Sequence, residues 1–250
     1  MKRALMIIAA SLAISCPAWA AFRACGTATT VVGGGATTGT PGTPAGAAAN
    51  DILLIIVSQD DEPVTYTWPS GFTQLYNSSL TLDGQAVAVA WKRAAGGDSL
   101  TVTRSATPGE WLLQACAWSG RDTGNPPIGS TAATNNTANA SPTTITSNGV
   151  TALSGDDLVW IAGLDVTAAS ATAALTQPTG YTSQGATICS NSLCVFGIAT
   201  LDNTSAGATG SISGSMTHSG NSGWAAFLIR IPLSGGGGPV VRHRAWVISQ

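Results

Sequence analysis

The chain has 250 residues, of which 44% are hydrophobic and only 9% charged, with a formal net charge of −2. No basic field exists to hold nucleic acid, so solubility falls to Thr, Ser, Asn and Gly. The length allows one large β body or two small ones, with an extensive core.

Met1 to Ala20 reads as a secretory signal peptide: Lys2 and Arg3 precede the apolar run Ala4 to Ile14, and Ala18-Trp19-Ala20 offers a small-x-small cleavage site. A bilayer needs about 20 apolar residues, so no stable membrane span is expected. Lipoprotein processing at Cys16 is the alternative. Removing Lys2 and Arg3 from the 10 basic residues leaves 8 against 12 acidic ones, a net of −4. Cleavage also leaves Cys25, Cys116, Cys189 and Cys194, an even number suited to an oxidising compartment. Cys189 with Cys194 is the favoured pairing, because Ser190 to Leu193 could close a hairpin between them; Cys25 with Cys116 then follows by elimination. A buried Cys116 thiol is the alternative.

Residues 21–50 are rich in Gly, Thr, Ala and Pro and read either as an extended arm covering a sheet edge or as a flexible linker. Ile52 to Val57 is a continuous apolar run of strand length, expected to be covered on both faces. Asp60-Asp61-Glu62-Pro63 is a loop. Val64 to Trp68 reads as a strand, and Pro69-Ser70-Gly71 as a turn. Phe72 to Tyr76, Ala86 to Trp91, Leu100 to Thr103 and Trp111 to Trp118 complete a first β half over residues 51–120, with turns at Asp83-Gly84 and Gly96-Gly97-Asp98. Residues 121–149 form a polar connection, in which Ser141 to Ile145 adds a short strand.

Residues 150–233 replay the first half. Asp156-Asp157-Leu158 answers Asn50-Asp51-Ile52, and Pro178-Thr179-Gly180-Tyr181 answers Pro69-Ser70-Gly71-Phe72 at an offset of 178 − 69 = 109. Cys194 to Leu201 answers Ala86 to Ala94, Gly210 to Gly214 answers Leu100 to Thr103, and Trp224 to Ile231 answers the Trp111 strand. A period this long indicates a duplicated module rather than a solenoid. Thr167 to Leu175 is alanine-rich, but its threonines and lack of charge favour a loop or variable strand over a helix. The fold class is therefore all-β: a β-sandwich or jelly-roll-like body built from two duplicated halves of about 110 residues. Both two stacked domains and two interleaved parts of one sandwich stand as readings, and the two-sided apolar runs favour the single body. Residues 234–238 form a glycine hinge, and residues 239–250 a docking tail carrying Arg242, Arg244 and Trp246 between apolar ends. Its target is the chain's own sheet edge, another subunit in a homo-oligomer, or a larger particle; a frayed terminus is the alternative.

Catalytic chemistry finds little support. His218 sits in a hydroxyl-rich turn and His243 in the tail, neither beside an evident nucleophile. Glu62 and Glu110 are the only glutamates, and nothing in their spacing demands a glycosidase pair. Asp60-Asp61-Glu62 and Asp156-Asp157 with Asp165 lack the ligand spacing of a calcium loop, so no metal or other cofactor is expected. The suggestive chemistry is aromatic: Tyr66, Trp68 and Tyr76, with Tyr181 in the second half, could stack on the apolar faces of sugars, against the alternative that they fill the core.

The succession of Asn50-Asp51 with an aliphatic strand, Pro-x-Gly-aromatic, Trp91-Lys92-Arg93-Ala94-Ala95-Gly96, and Trp111 to Gly120 with Arg121-Asp122 resembles β-sandwich modules of phage tail-fibre or virion-surface proteins and of bacterial secreted proteins. The resemblance implies a surface or adhesion role, with a glycan or protein partner, and no reaction. The leader favours a secreted, extracellular or periplasmic protein over a virion or filament subunit.

Overall fold

The computed structural model describes residues 21–32, 36–59, 64–79, 86–106, 109–121, 124–166, 174–188, 194–219 and 221–233. The expected leader, the Asp60-Asp61-Glu62 loop, the Asp83-Gly84 turn, Cys189, the glycine hinge and the segment with Arg242, Arg244 and Trp246 lie outside the described residues.

All regular structure among the described residues is β. The first half contains β1 (Ala21–Cys25), β2 (Thr29–Val31), β3 (Thr38–Gly39), β4 (Ile52–Gln59), β5 (Tyr66–Thr67), β6 (Thr73–Ser79), β7 (Ala86–Arg93), β8 (Val102–Arg104) and β9 (Trp111–Ser119). The second contains β10 (Ile128–Gly129), β11 (Ala133–Ala140), β12 (Thr143–Ser147), β13 (Thr151–Ala152), β14 (Asp157–Val166), β15 (Ala174–Thr176), β16 (Thr182–Ile188), β17 (Cys194–Leu201), β18 (Gly207–Ala208), β19 (Ile212–Thr217) and β20 (Asn221–Ile231).

Each half builds a six-stranded antiparallel sheet and a three-stranded one. The first has β1-β9-β4-β7-β6, with β2 also on β9, and β3-β8-β5; the second has β10-β20-β14-β17-β16, with β11 also on β20, and β12-β19-β15. The strand orders correspond position by position. In both halves the chain leaves the large sheet for the small one and returns, as in a jelly roll.

The apolar runs are continuous because both faces of each large sheet are covered. Successive side chains on a strand point to opposite faces. Ile52, Leu54 and Ile56 of β4 therefore meet Val159 and Ile161 of β14, and Phe227 and Ile229 of β20, in a core between the two large sheets. Leu53, Ile55 and Val57 pack outward on Tyr66 and Val102, towards the small sheet. Leu158, Trp160 and Leu164 do the same in the second half, against Ile145 and Met216. The result is one body of four layers: small sheet, large sheet, large sheet, small sheet.

Two segments read from the sequence as an arm and as a connection are built into the sheets. Residues 21–50 are stitched to the first half, because β1 and β2 pair with β9 and β3 pairs with β8. Residues 121–149 supply β12, where a short strand is expected at Ser141 to Ile145, and also β10 and β11, which the sequence reading does not contain. β10 and β11 lie on the edge of their sheet, where a strand needs few apolar side chains, and this suits the Thr and Asn of β11.

Cys25 lies directly opposite Cys116 across the β1–β9 ladder and is disulfide-bonded to it, with Cα atoms 4.0 Å apart. Cys194 is also disulfide-bonded, while its expected partner Cys189 lies outside the described residues.

Candidate functional site

The Pro-x-Gly-aromatic motif is a turn in both halves. Phe72 N–H donates to the Pro69 carbonyl at 3.1 Å and Tyr181 N–H to the Pro178 carbonyl at 3.0 Å. Gly71 (φ 83°) and Gly180 (φ 85°) take the left-handed conformation that the third position of a type II turn requires. After the turn the aromatic ring packs inward: Tyr181 is buried and Phe72 half-buried against the outer core of its half.

The structure brings two of the three candidate glycan-binding rings together and separates the third. Tyr66 and Trp68 are neighbours, with centroids 5.5 Å apart, and Tyr66 stacks on Trp111 at 6.4 Å. Tyr66 is buried and donates its hydroxyl to Gln59 Oε1 at 2.8 Å, so it is a core residue rather than a binding surface. Burial pushes that hydroxyl above the usual tyrosine range, with the charge of Arg104 opposing. Tyr76 is on the other face of the large sheet, stacked on Phe227 at 4.4 Å in the core between the sheets. A β-bulge between Gln74 and Tyr76 changes the strand's register here. A three-ring platform is therefore not formed.

Trp68 remains at the rim, half-buried, with its Nε1–H donating to Gln74 Oε1 at 2.9 Å. Beside the same turn, Lys92 Nζ donates to the Ser70 carbonyl at 3.1 Å, lies 5.9 Å from the centre of the Phe72 ring, and forms an ion pair with Asp98. An indole face beside an amide and an ammonium group offers both a stacking surface and hydrogen-bonding groups. In the second half Gln177 replaces Trp68.

Three aspartates form ion pairs with arginines. Asp51 binds Arg23, Asp156 binds Arg230, and Asp157 binds Arg121 with neither partner exposed. The halves match one residue away from the sequence alignment: Asp156 takes the place of Asp51, and Asp157 that of the core-facing Ile52. Asp157 thus projects a carboxylate where the first half has an isoleucine. Its partner Arg121 follows β9, also donates to the Gly155 carbonyl at 3.1 Å, and bridges to Leu233. Burial raises the Asp157 carboxyl to about 7, with Arg121 pulling the other way. Among the described residues, no three His, Cys, Asp or Glu side chains are grouped to hold a metal.

His218 has partners that sequence reasoning missed. Its Nε2 lies 2.7 Å from Thr143 Oγ1 and 3.1 Å from Ser222 Oγ, and its N–H donates to Ser141 Oγ at 3.0 Å. The only sequence signal is the local density of hydroxyls. Ser222 is buried on β20, and its contacts with His218 and with Thr143 of β12 tie these two strands together.

The chain matches no protein-family model, no curated protein and no solved structure. Fold and bonding define its class as a disulfide-bonded all-β sandwich protein.

Proposed function

We propose that this chain is a secreted, non-enzymatic β-sandwich protein that adheres at a surface, with Trp68 contacting a glycan. Trp68 carries the reading: it is the residue of the repeated turn that the second half lacks, and it stays at the rim while its neighbour Tyr66 fills the core. Two further features support it. Disulfides at Cys25–Cys116 and at Cys194 suit an oxidising compartment. The low charge and hydroxyl-rich composition suit an extracellular β protein.

A glycan array probed with the wild-type protein and with Trp68→Ala tests the proposal. At least a tenfold loss of binding in a variant with an unchanged circular dichroism spectrum is expected. Failure of the wild type to bind any glycan, or equal binding by both proteins, would sink it.

A further inference from the structure

The two halves differ at one end of the body, where the first leaves open a gap that the second closes. In the second half β13 pairs with β18, joining Thr151 to Ala208 and Ala152 to Gly207. The flanking anchors are shared by both halves. Asn50 N–H donates to the Ala94 carbonyl and Ala94 N–H to that of Asp51; Gly155 N–H likewise donates to Thr204, and Thr204 N–H to Asp156. By this alignment, residues 46–47 and 97–98 should pair as β13 and β18 do. Among the described residues they form no ladder.

The sequence explains why. Between β3 and Asp51 lie residues 40–50, eleven in number, against residues 148–155, eight in number, between β12 and Asp156. The longer loop contains Pro41 and Pro44, which have no N–H to offer a ladder. Opposite it, Asp98 accepts from Ala95 N–H at 2.8 Å and Gly96 N–H at 3.2 Å, folding that segment into a turn with φ 87° at Gly96 and 72° at Gly97. An open groove results, with Pro44, Ala47 and Ala48 on one wall, Gly96 and Asp98 on the other, and Leu53 between them.

We propose that this groove receives the chain's own segment Pro239–Gln250 as an added strand, supplying in the first half the pairing that β13 and β18 supply in the second. Its sequence fits strand addition, with Val240-Val241 and Val247-Ile248 flanking the basic centre. Reach fits as well. Leu233, the last described residue, bridges to Arg121 at the end of β9; β4 begins beside that end, and Ala94 pairs with Asp51 at the start of β4. Three such steps of about 5 Å across the strands, with two residues or about 7 Å along them, place the groove's edge about 16 Å away. The five residues 234–238 extend to about 17 Å. A tether of this length gives millimolar effective concentration, which favours the same chain over a neighbour.

The test uses the full chain with Ala48→Cys and Val241→Cys, oxidised at micromolar concentration and analysed by non-reducing electrophoresis and peptide mass spectrometry. The expected product is a monomer containing a 48–241 disulfide. A disulfide-linked dimer, or no 48–241 bond, overturns the proposal. Hydrogen exchange supplies a second readout that needs no cysteine. Amides of residues 97–99 should exchange at least tenfold faster in a chain ending at Leu233 than in the full chain, and equal rates would also overturn it. Neither readout depends on glycan binding, so this inference and the adhesion reading fail separately.

Discussion

Asp51 and Asp156 occupy the same place in the two halves. Each accepts, through Oδ2, the amide N–H three residues before it, from Ala48 at 2.8 Å and from Leu153 at 2.7 Å, and each binds an arginine through the same oxygen. The preceding residue is left-handed in both, Asn50 at φ 71° and Gly155 at φ 88°. Their surroundings differ. Asp156 also accepts the Leu233 N–H at 2.9 Å, and Arg230 is more enclosed than Arg23, with side chains 14% and 34% exposed. Asp156→Ala leaves a half-buried arginine and two N–H groups without their acceptor, and should cost about 3 kcal/mol. Asp51→Ala leaves the Ala48 N–H without its acceptor and removes a more exposed pair, and should cost about 1 to 2 kcal/mol. Denaturant unfolding of the two variants gives the ranking directly.

The Cys25–Cys116 bridge closes a loop of 91 residues in sequence separation, so it constrains the unfolded chain strongly. Replacing both cysteines by alanine should cost about 4 kcal/mol. Calorimetry should show Tm lower by roughly 10 °C. An unchanged Tm would mean that the remaining β1–β9 pairing holds this edge by itself.

Asp157 should make stability depend on pH. Its carboxyl is raised to about 7 by burial against the pull of Arg121, whereas unfolded it titrates near 3.9. The folded state therefore binds the proton more tightly. This contribution is complete below about pH 4 and is lost as pH rises through about 7. Wild-type stability should fall across that window by at most about 1.4 kcal/mol per pH unit, and Asp157→Asn should flatten the profile. Parallel slopes for the two proteins, from urea midpoints at pH 4, 5.5 and 7, would contradict this.

Glycines should divide into two groups on substitution. A Cβ on Gly26 would lie 2.0 Å from the Gly42 carbonyl oxygen, and one on Gly149 would lie 2.2 Å from that of Gly210. Backbone must move to admit either, so Gly26→Ala and Gly149→Ala should each cost about 3 kcal/mol. Gly180 has open space around it and only its φ of 85° to defend. Gly180→Ala should cost about 1 kcal/mol, and Gly180→Asn less. Thermal denaturation of the purified variants would separate the groups.

The sequence carried the strand signal well wherever a strand is covered on both faces, as at Ile52 to Val57 and Trp224 to Ile231, because such runs need no polar alternation. It misled at edges. β11, Ala133–Ala140, is made of Ala, Thr and Asn, and its place beside β20 is set by a partner distant in sequence. Alignment by composition matched Asn50-Asp51 to Asp156-Asp157, whereas the hydrogen bonds match Asp51 to Asp156 and leave Asp157 to meet Arg121. The aromatic site was legible only in part. Proximity along the chain linked Tyr66, Trp68 and Tyr76, yet the bulge between Gln74 and Tyr76 sends Tyr76 to the opposite face, and no composition signal marks a bulge. The open groove had a readable trace in the unequal lengths of residues 40–50 and 148–155, which acquires meaning only once β13 and β18 are known to pair.

The burial of both faces of both large sheets fixes what a severed half would be. Cut after Arg121, the first half would keep its small sheet and its disulfide but turn Ile52, Leu54, Ile56, Val87 and Val89 to water. Tyr76 would lose the ring of Phe227. Such a fragment could become soluble by finding a second copy of itself, sheet against sheet. The intact chain meets that need within one molecule, large sheet against large sheet, and its two Pro-x-Gly turns differ, one with a tryptophan at its rim and the other with a glutamine.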